Sequence, residues 1–375
     1  MFWRYIANSY TLSRALALLI DFYDINTSRI MYGMESLQRL LVHKRETESE
    51  LHLEAVEAAV KRGRECLENH QRPDGSIGKL EAREFEVWDT ANAALALIEA
   101  EGDKDCIDKA IGFILGGQLE NGSFYHSYVP KALKKYNCVE TTSVALIASY
   151  KSQRKLSENA RRGIDYLIQS QNRDGSWEIQ HLPWASKHPS VTGYALKTLL
   201  HVNECPKDTF DNALLFLHKS QQKNGSWGRE SAYYNTEGYA IKNIIEALTL
   251  ARDKHWLTGE EKHKIDSILE KCLSYVVKKN NLDGSWSSAG PSSKCISTSL
   301  HLQTLLNLLG DLNNEKMKRL VNAAAGYLTE KQGKEGFWYG GKIYKINADL
   351  FATSETLVTL SRLVRSAQNP LRIQV

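Results

Sequence analysis

The chain has 375 residues, and its hydrophobic content of 42% is sufficient for a large buried core. Its net charge is only +4, which gives no indication of a nucleic-acid-binding surface. The six cysteines are scattered, without a Cys-x-x-Cys pair or a disulfide-dense spacing, so we predict a protein of a reducing, cytoplasmic compartment.

Residues 1–50 precede the repeated part of the chain and are predicted to form a helical extension with apolar faces. Their apolar stretch at 15–20 is too short for a signal peptide or a membrane span, and Asp21 follows at once. Two interpretations stay open. The extension is either a cap on the rest of the protein or a surface for a dimer or for peripheral membrane contact.

From residue 51 to residue 375, a pattern of about 50 residues recurs six times. Each copy has an apolar pair, three further residues, an amide residue, a turn with Gly, and an aromatic or apolar residue six positions after the amide. These pairs are Gln71–Ile77, Gln118–Phe124, Gln171–Trp177, Gln221–Trp227, Asn280–Trp286 and Gln332–Trp338. Such a period indicates a repeat architecture rather than several unrelated domains.

Each repeat reads as a helix that ends in a glycine turn. The run before each amide has apolar residues at helical spacing, and Asp-Gly-Ser or Asn-Gly-Ser is a typical helix stop. The amide can bind the backbone groups of the turn, and the aromatic residue can cover that bond. We therefore predict structural roles for the four turn tryptophans, Trp177, Trp227, Trp286 and Trp338.

A second helix of different character follows each turn. It is apolar and rich in small residues, as in the run after Trp88 or after Cys138, and a helix that is apolar nearly all round is buried. Six charged outer helices that alternate with six apolar inner helices predict an all-α fold, a single (α/α)6 barrel. The N-terminal ends of the inner helices would form one rim, where we expect the chemistry.

The six turns resemble the QW motifs of the squalene–hopene cyclase and oxidosqualene cyclase family, which includes class II terpene cyclases. Protein prenyltransferase β subunits share the barrel. The resemblance covers residues 55–365, and the segment Val87-Trp88-Asp89-Thr90 is similar to one that lines the cyclase active site. It implies a protonation-initiated cyclase of linear isoprenoids or meroterpenoids that uses no cofactor. Because full triterpene cyclases carry a second barrel, a substrate shorter than squalene, or a prenylated one, is favoured.

The catalytic acid motif of that family departs from its usual form here. Where the cyclases carry Asp-x-Asp-Asp-Thr-Ala, this chain has Cys138-Val-Glu140-Thr141-Thr-Ser. The resemblance implies Glu140 as the acid, with Asp89 as a second candidate catalytic residue. A polar rim position for Glu140 and a helix-capping role for Asp89 are the alternatives. A lone glutamic acid suits an epoxide, a carbonyl or an activated alkene better than an unactivated alkene.

Aromatic residues are concentrated before and at the start of the inner helices, where rings could stabilise a carbocation. The predicted substrate-binding residues are Trp88, Tyr136, Cys138, Thr141, Trp184, Tyr194, Tyr233, Tyr234, Glu237, Tyr239, Tyr344 and Phe351. A nearby lysine group, Lys131, Lys134 and Lys135, is either solvated loop or a rim site for an anion.

No metal site is predicted. Prenyltransferases resemble one another in a zinc set of Asp, Cys and His, but Ser293 stands where the Asp would precede Cys295, and the last inner helix has no His. An Asp-Asp-x-x-Asp segment for magnesium is also missing from the sequence. A prenyltransferase-like subunit is therefore disfavoured. The remaining alternative to a cyclase is a barrel that binds an apolar ligand or a peptide, with different chemistry or none.

Overall fold

The computed structural model describes residues 52–78, 86–126, 137–178, 187–228, 236–288, 293–308, 315–343, 346–347 and 349–368. Twelve helices alternate between two layers within these residues. The outer helices are α1 (Leu53–Asn69), α3 (Lys104–Gly116), α5 (Glu158–Gln169), α7 (Lys207–Ser220), α9 (Gly259–Lys278) and α11 (Glu315–Glu330). The inner helices are α2 (Glu86–Glu99), α4 (Val139–Gln153), α6 (Pro189–His201), α8 (Gly238–Arg252), α10 (Lys294–Leu308) and α12 (Asp349–Gln368).

The inner helices form a closed ring, because each contacts the next and α12 contacts α2. Their sequences explain this position. In α4 every residue from Val139 to Ser149 is buried, whereas α5 buries only a stripe of residues at helical spacing, such as Ala160, Ile164 and Leu167. The predicted all-α (α/α)6 barrel is thus confirmed. The helical extension predicted for residues 1–50 lies outside the described residues.

Two short hairpins, which the sequence did not predict, add to the helices. Strands β1 (Phe124–Tyr125) and β2 (Asn137–Cys138) pair antiparallel, with Phe124 opposite Cys138. Strands β3 (Lys342–Ile343) and β4 (Ile346–Asn347) form a second antiparallel pair. The first hairpin leads directly into inner helix α4.

The turn of the third repeat shows how each turn joins one repeat to the next. The Gln171 side-chain amide donates to the carbonyl of Gly175 in its own turn (3.1 Å) and to that of Thr209 in the next outer helix (2.9 Å). Gly175 has a φ of +88°, and a Cβ there would lie 2.0 Å from the Asn212 carbonyl oxygen. Only glycine therefore permits this close approach of the turn to the neighbouring helix.

The same amide link recurs around the barrel. Among the described residues, five of the six turn amides donate to the next outer helix: Gln71 to Cys106, Gln118 to Asn159, Gln171 to Thr209, Gln221 to Ile268 and Gln332 to Ala59. The last of these closes the ring from the sixth repeat to the first. Asn280 has a shorter side chain, and its amide bonds are to Gly284 and Ser285 of its own turn.

All four turn tryptophans are buried, and three of them, Trp177, Trp286 and Trp338, are anchored at two atoms. The Trp177 indole N–H donates to the Leu167 carbonyl (2.8 Å), and its backbone N–H donates to the Thr192 hydroxyl on inner helix α6 (3.0 Å). An equivalent threonine in α2, α4, α10 and α12 accepts from Ile77, Phe124, Trp286 and Trp338 respectively. This anchor from the turn to the inner helix was missed in the sequence, although the Thr recurs at one position of the repeat.

His301 makes the fold sensitive to acid. Its ring is 4% exposed and stacks on Trp286 with centroids 5.5 Å apart, and its Nδ1–H donates to the Ser297 carbonyl (2.7 Å). Burial lowers the pKa of His301 to about 4. The unfolded chain, with an ordinary histidine pKa of about 6.5, therefore takes up a proton first as the pH falls.

We expect the free energy of unfolding to drop by about 2 kcal/mol between pH 7 and pH 5 because of this histidine alone. Urea unfolding at both pH values should show that drop in the wild type and a correspondingly smaller drop in His301→Gln. An equal pH dependence in the two proteins would show that His301 titrates in the folded state as it does in the unfolded chain.

Candidate active site

Five large side chains meet inside the ring at the N-terminal ends of the inner helices. In the repeat alignment, Trp88, Glu140 and Phe351 stand two residues before the anchoring threonine. Tyr194 and Tyr239 stand two residues after the equivalent position, one helical turn further along the same face. Because positions four residues apart lie on the same face of a helix, all five side chains point into the lumen.

Four of these side chains form a closed circuit of rings, which we call the aromatic box: Trp88, Tyr194, Tyr239 and Phe351. The centroids of successive rings are 6.1 to 6.2 Å apart around the whole circuit. Trp88 and Phe351 are nearly parallel, at 22°, and the other three pairs are edge-to-face. Two of the four contacts join helices that are not adjacent in the ring. They are Trp88 of α2 with Tyr194 of α6, and Tyr239 of α8 with Phe351 of α12, so both pass through the barrel interior.

Glu140 lies beside this box. Its side chain is 3% exposed, and Oε1 accepts a hydrogen bond from the Tyr239 hydroxyl at 2.8 Å, across the lumen from α4 to α8. The tyrosine hydroxyl can stabilise the carboxylate that remains once the proton has been given up. The pair has the geometry of a proton donor with a supporting hydroxyl.

Cys138 and Thr141 have local roles at the start of α4. Cys138 is the N-cap, and its Sγ accepts from the Thr141 backbone N–H, while burial raises the pKa of the thiol to about 12. The Thr141 hydroxyl is bonded to His126 Nδ1 at 3.0 Å, and the His126 ring lies 6.4 Å from that of Trp88. His126, which the sequence analysis missed, thus links the box to the start of α4. In the sequence, only its position two residues after Phe124 could have indicated this role.

The other two predicted carboxylates are less deeply buried than Glu140. Asp89 lies half-buried in the first turn of α2, next to Trp88. Glu237 is half-buried and accepts a hydrogen bond from the Tyr275 hydroxyl of outer helix α9. The reason is its register: Glu237-Gly-Tyr-Ala aligns with Thr192-Gly-Tyr-Ala, so Glu237 occupies the anchoring position, which faces the outer layer.

Several predicted residues cannot be placed. Tyr136, Trp184, Tyr233, Tyr234 and Tyr344 lie outside the described residues, as do Lys131, Lys134 and Lys135. Their substrate-binding or anion-binding roles remain predictions.

Within the described part of the chain, no group of three or more His, Cys, Asp or Glu side chains is placed to hold a metal ion. Burial raises the pKa of the Cys295 thiol to about 11, which disfavours the thiolate that zinc requires. The absence of a catalytic metal stays a prediction. None of the twelve described helices has the combination of length and hydropathy that a bilayer-spanning segment needs.

A second feature lies at the other end of the lumen, between the C-terminal halves of the inner helices. Here a cavity of about 860 Å³ is lined by a polar layer, one residue from each inner helix: Glu99, Lys151, His201, Glu246, Asn307 and Arg362. Each stands nine residues after the anchoring position of its repeat. The sequence has a polar residue at this position of all six apolar helices, and this recurrence would have predicted the layer.

Comparison with known proteins agrees with this architecture. Lanosterol synthase erg7A of Aspergillus fumigatus is 29% identical over 141 residues, 35% of this chain and 18% of that protein. Drimenyl diphosphate synthase of Streptomyces showdoensis is 25% identical over 159 residues, 42% of this chain and 30% of that protein. The chain thus matches less than a third of the length of either relative.

A solved structure of a variant of the type II terpene cyclase MstE from Scytonema, in complex with geranylgeranyl dihydroxybenzoate, has the same fold. It superposes with a TM-score of 0.65 at 15% identity and covers 83% of this chain and 98% of that one. Residues 43–186 match the squalene-hopene cyclase C-terminal domain. Residues 135–347, more than half of the chain, match the prenyltransferase alpha-alpha toroid domain. The chain therefore belongs to the prenyltransferase alpha-alpha toroid family.

Proposed function

We propose that this protein is a class II-type terpene or meroterpenoid cyclase in which Glu140 is the Brønsted acid. The observation that carries the proposal is the buried Glu140 carboxyl group, hydrogen-bonded by Tyr239 at 2.8 Å beside a box of four aromatic rings. It is supported by the matched relatives, which are named lanosterol synthase and drimenyl diphosphate synthase. It is also supported by the shared fold of a type II terpene cyclase whose structure was solved in complex with geranylgeranyl dihydroxybenzoate.

The proposed reaction begins with proton transfer from Glu140 to the terminal alkene or epoxide of a linear isoprenoid. On an alkene, the π electrons form the new C–H bond and leave a carbocation at the more substituted carbon. On an epoxide, the oxygen takes the proton and a C–O bond breaks. The next alkene attacks the cation and closes a ring, and loss of a proton from carbon ends the sequence. The product is an isomer of the substrate.

Each polar or aromatic group beside Glu140 has a defined part in this scheme. The Tyr239 hydroxyl stabilises the Glu140 carboxylate that the first step creates. The faces of Trp88, Tyr194 and Phe351 stabilise the positive charge without forming a bond to it, at about 0.5–2 kcal/mol for each ring. Burial excludes water that would quench the cation.

The replacement of a carboxylate cluster by one glutamic acid bears on the substrate. Cys138 and Thr141 lack the acidity of the aspartates in the corresponding motif, and both have structural hydrogen bonds here. An epoxide or an activated alkene, which is more basic than an unactivated alkene, is therefore the proposed acceptor of the proton.

Incubation of the purified protein with linear polyprenols, their terminal epoxides and prenylated dihydroxybenzoates, followed by mass spectrometry, tests the proposal. The expected product has the substrate's mass, a new retention time and fewer alkenes by NMR, and it forms in the presence of EDTA. Recovery of every substrate unchanged, together with saturable binding, would instead favour a barrel that binds an apolar ligand without chemistry.

A further inference from the structure

The cavity at the C-terminal ends of the inner helices is separate from the aromatic box. Its floor includes Lys197, whose Nζ lies 4.1 Å from the Tyr194 ring centroid, so the box closes the cavity from that side. Its mouth includes the exposed residues Glu101, Arg154 and Asn203. A volume of about 860 Å³ lies in the range of small-molecule sites.

The charged groups inside this cavity do not balance. Glu99 is shared by Lys151 (2.5 Å) and Arg365, with Arg362 at 4.0 Å. Glu246 is shared by Lys197 (3.0 Å) and Arg362 (2.8 Å). Since Glu99 and Glu246 each serve more than one cation, basic groups outnumber carboxylates in the described lining.

The remaining charged groups increase the excess. Lys242 pairs with Glu355 at 2.9 Å, so that five cations share three carboxylates among the interior lining residues. The mouth adds two basic residues, Arg154 and Lys254, and one carboxylate, that of Glu101. His201 adds no charge at neutral pH, because burial lowers its pKa to about 4. The described lining therefore has a formal charge of about +3 by this count.

Among the described residues of the lining, three buried side-chain atoms have no hydrogen-bond partner: Thr249 Oγ1, Gln303 Oε1 and Ser354 Oγ. Gln303 and Ser354 are 0% and 2% exposed. A buried polar atom without a partner is unfavourable, so the wall of the cavity keeps unused hydrogen-bonding capacity. A hydroxyl can donate to an anion, and an amide oxygen can accept from a hydroxyl of the ligand.

Helix dipoles alone do not explain the excess of cations. All six inner helices end at this mouth, and a helix C-terminus favours basic residues only within its last turn. That accounts for Arg365, in the last turn of α12, but Lys242 lies ten residues before the end of α8. Burial also lowers the pKa of Lys197 to about 8, so holding that cation has a cost which a bound anion would offset.

We propose that this cavity is a binding site for a small molecule that bears a phosphate or diphosphate group. Arginine and lysine side chains are the usual protein partners of phosphate oxygens, and Arg154 and Lys254 at the mouth and Arg362 and Arg365 inside line this cavity. Apolar walls, such as Leu95, Ile98 and Leu200, leave room for an organic group on the phosphate. The site stands apart from the proposed acid chemistry at Glu140 and does not depend on it.

Isothermal titration calorimetry at low salt, with inorganic diphosphate and with octyl phosphate as probes, tests this site. We expect one equivalent to bind the wild type. The double variant Arg154→Gln/Lys254→Gln, at the mouth and outside the interior ion pairs, should weaken binding by about tenfold. Tighter binding of octyl phosphate than of inorganic diphosphate would identify a phosphate ester as the ligand, and the reverse would identify free diphosphate; either result supports the site.

The matched control is Arg252→Gln/Lys318→Gln, which removes the same charge from exposed positions outside the cavity that pair with Asp266 and Glu315. It should bind both probes as the wild type does. Equal weakening in the two double variants would reduce the effect to general electrostatic attraction and overturn the proposal. Failure of the wild type to bind at millimolar probe, or wild-type affinity in Arg154→Gln/Lys254→Gln, would overturn it as well.

Discussion

Replacement of Glu140 by Gln is expected to lower the rate of cyclisation by about 10²-fold or more, the scale typical of a lost general acid. Gln keeps the shape of the side chain and an oxygen that can accept from Tyr239, but it cannot supply a comparably acidic proton. Single-turnover kinetics should therefore show a lower rate of chemistry, while the affinity for the substrate stays near that of the wild type.

Two further variants make this result specific to Glu140. Glu237→Gln also removes a carboxylate near the start of an inner helix, but one that is bonded to the outer-layer Tyr275, so turnover should change little. Asp89→Asn tests the second candidate. Near-normal turnover in Glu140→Gln together with loss of activity in Asp89→Asn would assign the acid to Asp89 instead.

Truncation of Trp177 to Ala is expected to lower the free energy of unfolding by about 3–5 kcal/mol, as for other fully buried tryptophans. Trp177 is 0% exposed, and its indole is bonded to the Leu167 carbonyl, so the change leaves both a cavity and an unpaired acceptor. Denaturant unfolding followed by circular dichroism measures the loss.

Comparison of Trp177→Phe with Trp177→Ala separates the contribution of the hydrogen bond to stability from that of packing. Trp177→Phe keeps most of the ring but loses the N–H donor, and it should cost about 1–2 kcal/mol. Leu215→Ala, on the exposed face of α7, is the control and should stay within about 0.5 kcal/mol of the wild type. Wild-type stability of Trp177→Ala with loss of activity alone would contradict the structural role.

The repeat made the fold predictable from sequence, because each turn is a local structure with its own chemistry. The link from Gln171 to Thr209 was not predictable in the same way. Its acceptor is the backbone of the next repeat, and any residue could supply it. The hairpin of Phe124 with Cys138 is likewise a pairing of short segments with no sequence pattern of their own.

The candidate site was predictable in part. Trp88, Tyr194, Tyr239 and Phe351 were expected to lie near one rim, and they do meet there. The bond from Tyr239 to Glu140 spans the lumen between α8 and α4, so it depends on the diameter of the closed ring, which no local pattern specifies. Glu237, predicted with this set, accepts a hydrogen bond from Tyr275 of the outer layer, and its substrate-binding role stays a prediction.

The most direct test of proton-initiated cyclisation is the mass of the product formed in D2O. Glu140 would exchange its proton for deuterium and deliver it to the first carbon or oxygen of the reaction. With an alkene substrate, the account predicts a product that carries one deuterium in a stable C–D bond at the initiating carbon, and Glu140→Gln should form it at least about 10²-fold more slowly. A cyclised product of an alkene substrate that contains no deuterium would show that the reaction starts without proton transfer and would contradict the role assigned to Glu140.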